Sequence, residues 1–123
     1  MSFSISDDGR AVEWCAPGLP LRQSDDADFW RAYLDDGYYR EMRVRSSLQI
    51  FGRAQKTGPD ALVVHYDRLV GDDGREFDMT LDVHMKVAVS TYPGLECYAA
   101  VENRDAARLN EIQLPLIDLA SGC

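Results

Sequence analysis

Polar and apolar residues alternate strictly in the middle of the chain, from Phe77 to Val89. The apolar residues occupy the odd positions, and the even positions between them are Asp78, Thr80, Asp82, His84, Lys86 and Ala88. A period of two predicts a long β-strand with one buried face. Such a strand needs neighbours of similar length, so the pattern predicts a sheet.

Three turn sequences of the Asp-Asp-Gly type divide the chain, at 7–10, 35–37 and 72–75. Asp favours the start of a turn and Gly accepts a positive φ, so each of them predicts a hairpin. A further connection is expected around 91–94. Consecutive strands joined in this way predict an antiparallel meander.

The register of each hairpin is predicted by placing apolar residues opposite apolar residues. The turn at 72–75 then sets Val70 opposite Phe77 and Val64 opposite Val83. The following connection sets Val83 opposite Val101, so Val83 is expected at the centre of the core.

The same rule sets Phe3 opposite Trp14 in the first hairpin and Trp30 opposite Met42 in the second. Segments 48–53 and 109–114 predict two more strands, the second stopped by Pro115, while 16–28 is irregular. No segment shows sustained helical spacing. The predicted fold class is all-β, an antiparallel β-sandwich of consecutive hairpins with little helix, forming a single domain over 1–123.

Composition limits the classes of function. Apolar residues make up 46% of the chain and charged residues 28%, which is typical of an ordinary folded domain. A net charge of −8 repels phosphate backbones and anionic lipid, so neither nucleic acid nor a membrane is expected as a partner. The first residues lack the pattern of an export signal, which predicts a cytoplasmic protein.

The three cysteines, Cys15, Cys97 and Cys123, are an odd number without C-x-x-C spacing. They are expected as reduced thiols, with no disulfide framework, no structural zinc site and no cofactor. Cys97 falls on the apolar face of its predicted strand, where a thiol is usually inert packing. No Gly-x-Ser-x-Gly, phosphate loop or His-Glu-x-x-His motif indicates catalysis.

The predicted registers place His65 opposite Asp82 and Asp82 opposite Glu102, with His84 one step along. One imidazole and two carboxylates in a row could hydrogen-bond sugar hydroxyls, bind a divalent cation or share a proton. A solvated outer face, or a face packed against another domain, is the alternative.

The hairpin at 28–45 is predicted to place Tyr33 beside Tyr39 and Arg31 beside Glu41. Aromatic rings with polar neighbours can stack on the apolar face of a sugar ring. Cross-strand aromatic pairs also stabilise sheets without any ligand, so both interpretations stay open.

Three segments carry a resemblance to a known family. They are Val64-His-Tyr-Asp-Arg-Leu with the long alternating strand, Tyr98-Ala-Ala-Val-Glu-Asn, and Asn110-Glu-Ile-Gln-Leu-Pro-Leu-Ile. Together they resemble the galactose-mutarotase-like β-sandwich found N-terminal to the catalytic domain of bacterial glycoside hydrolases. The likeness covers about 62–118, and the chain stops where the family domain continues with more strands.

The resemblance implies a non-catalytic module of a carbohydrate-active enzyme that acts through contacts with a catalytic domain or subunit, with weak sugar binding. It implies a fragment or subunit of a larger assembly and transfers no catalytic residue. Exposed apolar residues near 109–119 predict a homodimer or a packed partner. The alternative function is a small β-sandwich enzyme or metal-binding protein using His65, Asp82 and Glu102.

Overall fold

The computed structural model describes residues 2–5, 7–8, 12–15, 21–23, 28–37, 40–59, 61–88, 94–115 and 117–119. The strands of these residues are β1 (Ser2–Ile5), β2 (Val12–Cys15), β3 (Leu21–Gln23), β4 (Arg31–Asp35), β5 (Glu41–Arg45), β6 (Gly52–Gly58), β7 (Ala61–Tyr66), β8 (Leu69–Val70), β9 (Glu76–Phe77), β10 (Met79–Ala88), β11 (Gly94–Asn103), β12 (Arg108–Gln113) and β13 (Ile117–Leu119). One 3-10 turn covers Ser46–Leu48. The predicted all-β class is confirmed.

A four-stranded antiparallel sheet contains the long alternating strand, in the order β11-β10-β7-β6. Along the chain the strands occur in the order β6, β7, β10 and β11, and each pairs with the next, so this sheet is the predicted meander. The short β8-β9 hairpin lies between β7 and β10 in the sequence. Val83 lies opposite Val64, as predicted, and is fully buried.

A three-stranded sheet has the order β12-β4-β5 and departs from the meander. β12 pairs with β4 from the far end of the chain, and β13 pairs with β3 in the segment predicted to be irregular. β12 therefore stands at the edge of its sheet, but it is not the last strand. The backbone of 117–119 is paired within the chain, so the predicted exposed segment 109–119 is only in part an open edge.

The inner faces of the two sheets share one hydrophobic core, which makes the fold a β-sandwich. Val64, Leu81 and Val83 contribute from the four-stranded sheet, and Leu34 and Val44 from the three-stranded sheet.

One aromatic pair connects the two layers directly. Trp30 donates its indole N–H to the hydroxyl of Tyr66 at 3.0 Å, and the two rings meet edge to face at 5.3 Å. Both side chains are fully buried, so this hydrogen bond satisfies the polar group that each of them brings into the core.

The register between β10 and β11 differs from the prediction by two residues. Val83 faces Ala99 and not Val101, and Asp82 faces Ala100 and not Glu102. A slip of two residues keeps every side chain on its face, so apolar pairing cannot distinguish the two registers. Val83 therefore lies on the predicted buried face, but its predicted neighbour on β11 is wrong.

The hairpin between β4 and β5 has a longer connection than predicted. Leu34, not Trp30, faces Met42. The Asp35 carboxylate accepts the Gly37 N–H at 2.9 Å, and Gly37 has a φ of +83°, so the turn begins after Asp35. Leu34 and Met42 are both buried, which fixes this register.

Two more local predictions are wrong. Val70 faces Glu76, and Phe77 instead faces Leu69, because β8 and β9 form a separate short pair. The strand predicted at 48–53 begins only at Gly52, after the 3-10 turn.

Buried polar groups hold that turn in place. The Gln49 amide donates to the carbonyls of Arg45 and Val70, and its oxygen accepts the Val70 N–H. The buried Asp28 carboxylate accepts from Ser47 and from Arg45 and Arg31. Burial alone would raise the pKa of Asp28, but the hydrogen bonds from Ser47, Arg45 and Arg31 outweigh it and lower the pKa.

Candidate functional site

The outer face of the four-stranded sheet carries the polar side of the alternating strand. Going along β10, Asp82 lies between His65 of β7 and Ala100 of β11. Two residues further, His84 lies between Val63 and Tyr98. The face therefore has two ends, which we name the His65 end and the His84 end.

At the His65 end, an imidazole bridges two carboxylates. His65 Nδ1 lies 2.5 Å from an Asp82 oxygen, and Nε2 lies 2.7 Å from an Asp67 oxygen. The hydrogen bond to Asp82, supported by Asp67, raises the pKa of His65, although partial burial opposes the shift. Both ring nitrogens are occupied, so this histidine has none left to take a proton from a substrate.

Glu102, the third member of the predicted row, does not belong to this group. It faces Thr80 across the strands and lies 3.4 Å from Arg104, which is also held by Asp78. The pairing of His65 with Asp82 is confirmed, and that of Asp82 with Glu102 is wrong, because the β10–β11 register differs by two residues.

The His65 end does not form a cation site in this arrangement. Asp82 and Asp67 approach opposite edges of the imidazole, so the three groups cannot converge on one ion. Over the residues that the structure describes, no group of three His, Cys, Asp or Glu side chains could hold a metal ion.

The His84 end is an aromatic platform beside a cavity. The rings of His84 and Tyr98 are stacked with centroids 4.3 Å apart and planes 6° apart. Tyr98 is 61% exposed, whereas Phe29, Trp30 and Tyr66 are at most 1% exposed. The adjoining cavity has a volume of about 190 Å³. It is lined by Thr57, Ala61, Leu62, His84, Met85, Lys86, Glu96 and Tyr98.

Two opposite charges stand beside this platform. Lys86 and Glu96 face each other across β10 and β11, and both are exposed. Neither forms an ion pair with any residue that the structure describes. The cavity thus offers an ammonium donor, a carboxylate acceptor and the Thr57 hydroxyl next to two stacked rings.

Of the predicted tyrosine pair, Tyr39 lies outside the described residues. Tyr33 faces Arg43 on β5 and Glu111 on β12. Arg31 faces Arg45 and not Glu41, because the turn between β4 and β5 is longer than predicted.

Cys97 lies on the inner face, as predicted, and faces Met85. It is half-buried, and burial raises the pKa of its thiol to about 11. A protonated thiol is a poor nucleophile, which agrees with a packing role.

The sequence interpretation missed Tyr98 as a partner of His84. A preference for aromatic pairs across strands would have found it, because only the register that sets Gly94 opposite Ala88 brings the two rings together.

No protein-family model, no curated protein and no solved structure matches this chain. The resemblance to the galactose-mutarotase-like sandwich therefore stays a prediction from its three sequence segments. Among the described residues, no helix is long and apolar enough to cross a membrane.

Proposed function

We propose that this chain is a non-catalytic β-sandwich module of a carbohydrate-active enzyme, which binds a sugar ring weakly at the His84 end. The catalytic function belongs to a separate domain or subunit to which the module attaches. Cytoplasmic location is part of the same proposal and is supported by the sequence alone.

The observation that carries the proposal is the exposed Tyr98 ring, stacked on His84 at the mouth of a small cavity. The C–H face of a pyranose can lie on an aromatic ring while its hydroxyls turn towards polar groups. Lys86, Glu96 and Thr57 supply those groups on the cavity wall.

The expected ligand is a single neutral ring. Lys86 and Glu96 together carry no net charge, so the cavity has no preference for an acidic sugar. A hexose has about twelve non-hydrogen atoms, and about −0.3 kcal/mol per atom gives about −3.6 kcal/mol, a Kd of about 2 mM. Weak binding of this kind suits an accessory module.

The carboxylates support a non-catalytic role. Glycoside hydrolysis generally uses two carboxyl groups about 5–10 Å apart on either side of the scissile bond. Among the described residues that line the cavity, Glu96 is the only carboxylate. Asp82 and Asp67 are both engaged by His65, which has no free nitrogen for acid–base work.

Calorimetric titration with the methyl glycosides of galactose, glucose and xylose tests the binding. We expect a Kd of about 2 mM for at least one of them, and binding of glucuronate no tighter than that of glucose. Heat of dilution alone for all three would contradict the proposal.

Incubation with nitrophenyl glycosides tests the claim of no catalysis. We expect no release of nitrophenol by the purified chain. Turnover that is lost in the Asp82→Asn variant would instead support the alternative of a small enzyme.

A further inference from the structure

Two edge strands lie on the same side of the sandwich. β11 ends the four-stranded sheet and β12 ends the three-stranded sheet, and the short turn at 104–107 joins them. We name this side the lateral seam. Its half-buried apolar side chains are Cys97, Ala99, Val101, Leu109, Ile112 and Leu114.

The core is less well covered at the seam than one strand further in. Met85, Val83 and Leu81 of β10 are at most 2% exposed, whereas their partners on β11 are only half-buried. A strand added at the seam would therefore remove further apolar surface from water.

The backbone of β11 is also available. β11 pairs with β10 over its full length of ten residues, and its other edge faces no strand that the structure describes. Such an edge presents a row of N–H and C=O groups to which an extended segment can pair.

The exposed charges at the seam are mainly negative. Glu96 and Glu102 project from β11, and Glu111 from β12. The nearby arginines are already held inside the chain, Arg104 by Asp78, Thr80 and Glu102, and Arg108 by Asp35. Among the described residues, Glu96 and Glu111 are the seam carboxylates that form no ion pair.

A second copy of the chain would bring the same carboxylates to the same edge, and the net charge of −8 adds to that repulsion. We therefore propose that the lateral seam binds an extended β-strand of a partner polypeptide in which apolar residues alternate with lysine or arginine. The apolar residues would cover the inner side, and the basic residues would meet the glutamates.

This inference rests on the proposed function, because it names the surface through which the module attaches to its enzyme. It does not depend on sugar binding, because among the described seam side chains Glu96 alone also lines the cavity. The two proposals can therefore fail separately.

A fluorescent ten-residue peptide of alternating valine and lysine is a suitable probe, with fluorescence anisotropy as the measurement. A valine–glutamate peptide tests charge, and a glycine–lysine peptide of equal charge tests strand formation. We expect the valine–lysine peptide to bind at least about tenfold more tightly than either control.

Hydrogen exchange locates the binding. With the valine–lysine peptide we expect slower exchange of the amides at 96–102, and no change at 52–58 on the opposite edge of the sheet. Protection at 52–58 alone, or equal binding of all three peptides, would overturn the proposal.

A double variant tests the charge match without touching the cavity. Glu102→Lys with Glu111→Lys is expected to weaken the valine–lysine peptide about tenfold and to favour the valine–glutamate peptide. The matched control, Glu41→Lys with Glu76→Lys, changes the net charge equally at exposed positions outside the seam and should keep the wild-type preference. An equal loss of peptide affinity in both variants would show that net charge alone causes the effect, and would contradict the proposal.

Light scattering of the free protein supplies the remaining outcome. A monomer that binds the peptide supports the inference. A stable dimer whose amides at 96–102 are already protected would show that a second copy occupies the seam, and would overturn it. Sugar binding retained in a chain that binds no peptide would refute this inference and leave the proposed function intact.

Discussion

The two ends of the outer face carry the same residue type in different states. His65 is hydrogen-bonded through both nitrogens, to Asp82 and Asp67. His84 presents its ring face to Tyr98 beside an open cavity. The two imidazoles lie on the neighbouring strands β7 and β10, and His65 faces Asp82, two residues before His84.

This difference suggests that the His65 end contributes to stability and the His84 end to binding. The groups of the His65 end satisfy one another, so they have little to offer a ligand. The His84 end exposes an aromatic ring and two charged groups without described partners. We therefore expect substitutions at the first end to change the free energy of unfolding, and at the second to change sugar affinity.

The largest effect is expected from the layer beneath both ends. Val83 is fully buried directly under the outer face, so Val83→Asp places an unpaired charge in the core. We expect a loss of about 4 kcal/mol or more, enough to unfold a domain of ordinary stability. Circular dichroism during heating would show it. An unchanged melting temperature would mean that Val83 is not buried.

The next effect concerns the His84 end alone. Tyr98→Ala removes the stacking surface and should weaken sugar binding at least about tenfold, with a small change in stability because the ring is exposed. Tyr98→Phe keeps the ring and is expected to retain most of the affinity. Calorimetry on both variants measures the difference; equal loss in both would assign the effect to the hydroxyl and not to stacking.

The fold was largely predictable because burial dictates alternation. The pattern from Phe77 to Val89 gave the strand, the inner face and the pairing of Val83 with Val64. It could not give the β10–β11 register, because a shift of two residues leaves the pattern unchanged. That shift replaced Glu102 by Ala100 beside Asp82, and brought Tyr98 to His84.

The prediction of a strand at 48–53 is wrong for a different reason. Gln49 looks like a surface residue in the sequence, but it is fully buried and bonded to the backbone of Arg45 and Val70. Long-range hydrogen bonds of this kind leave no periodic signal. The pairing of β12 with β4 is unpredictable for the same reason, since it joins distant segments of the chain.

A smaller effect is expected at the His65 end. His65→Ala removes the hydrogen bonds to Asp67 and Asp82. Because these groups are partly exposed, the loss should be about 1 kcal/mol. Urea denaturation measures it, with His84→Ala as the matched control. A greater loss for His84→Ala would reverse the comparison.

The smallest effect is a dependence on pH. The pKa of His65 is raised above its ordinary value of 6.5 by Asp82 and Asp67. Its contribution to stability is therefore complete below about pH 6.5 and is lost as the pH rises through the raised pKa. The wild type minus His65→Asn difference in unfolding free energy should be larger at pH 6 than at pH 9. The same difference at both values would contradict the imidazolium bridge.

The central claim, that the His84 end is the sugar site, is tested most directly by nuclear magnetic resonance. Titration of the ¹⁵N-labelled protein with the methyl glycoside that binds in calorimetry should shift the amide signals of His84, Lys86, Glu96 and Tyr98. The signals of His65, Asp67 and Asp82 should stay unchanged. Shifts confined to the His65 end, or absent from both ends, would contradict the account.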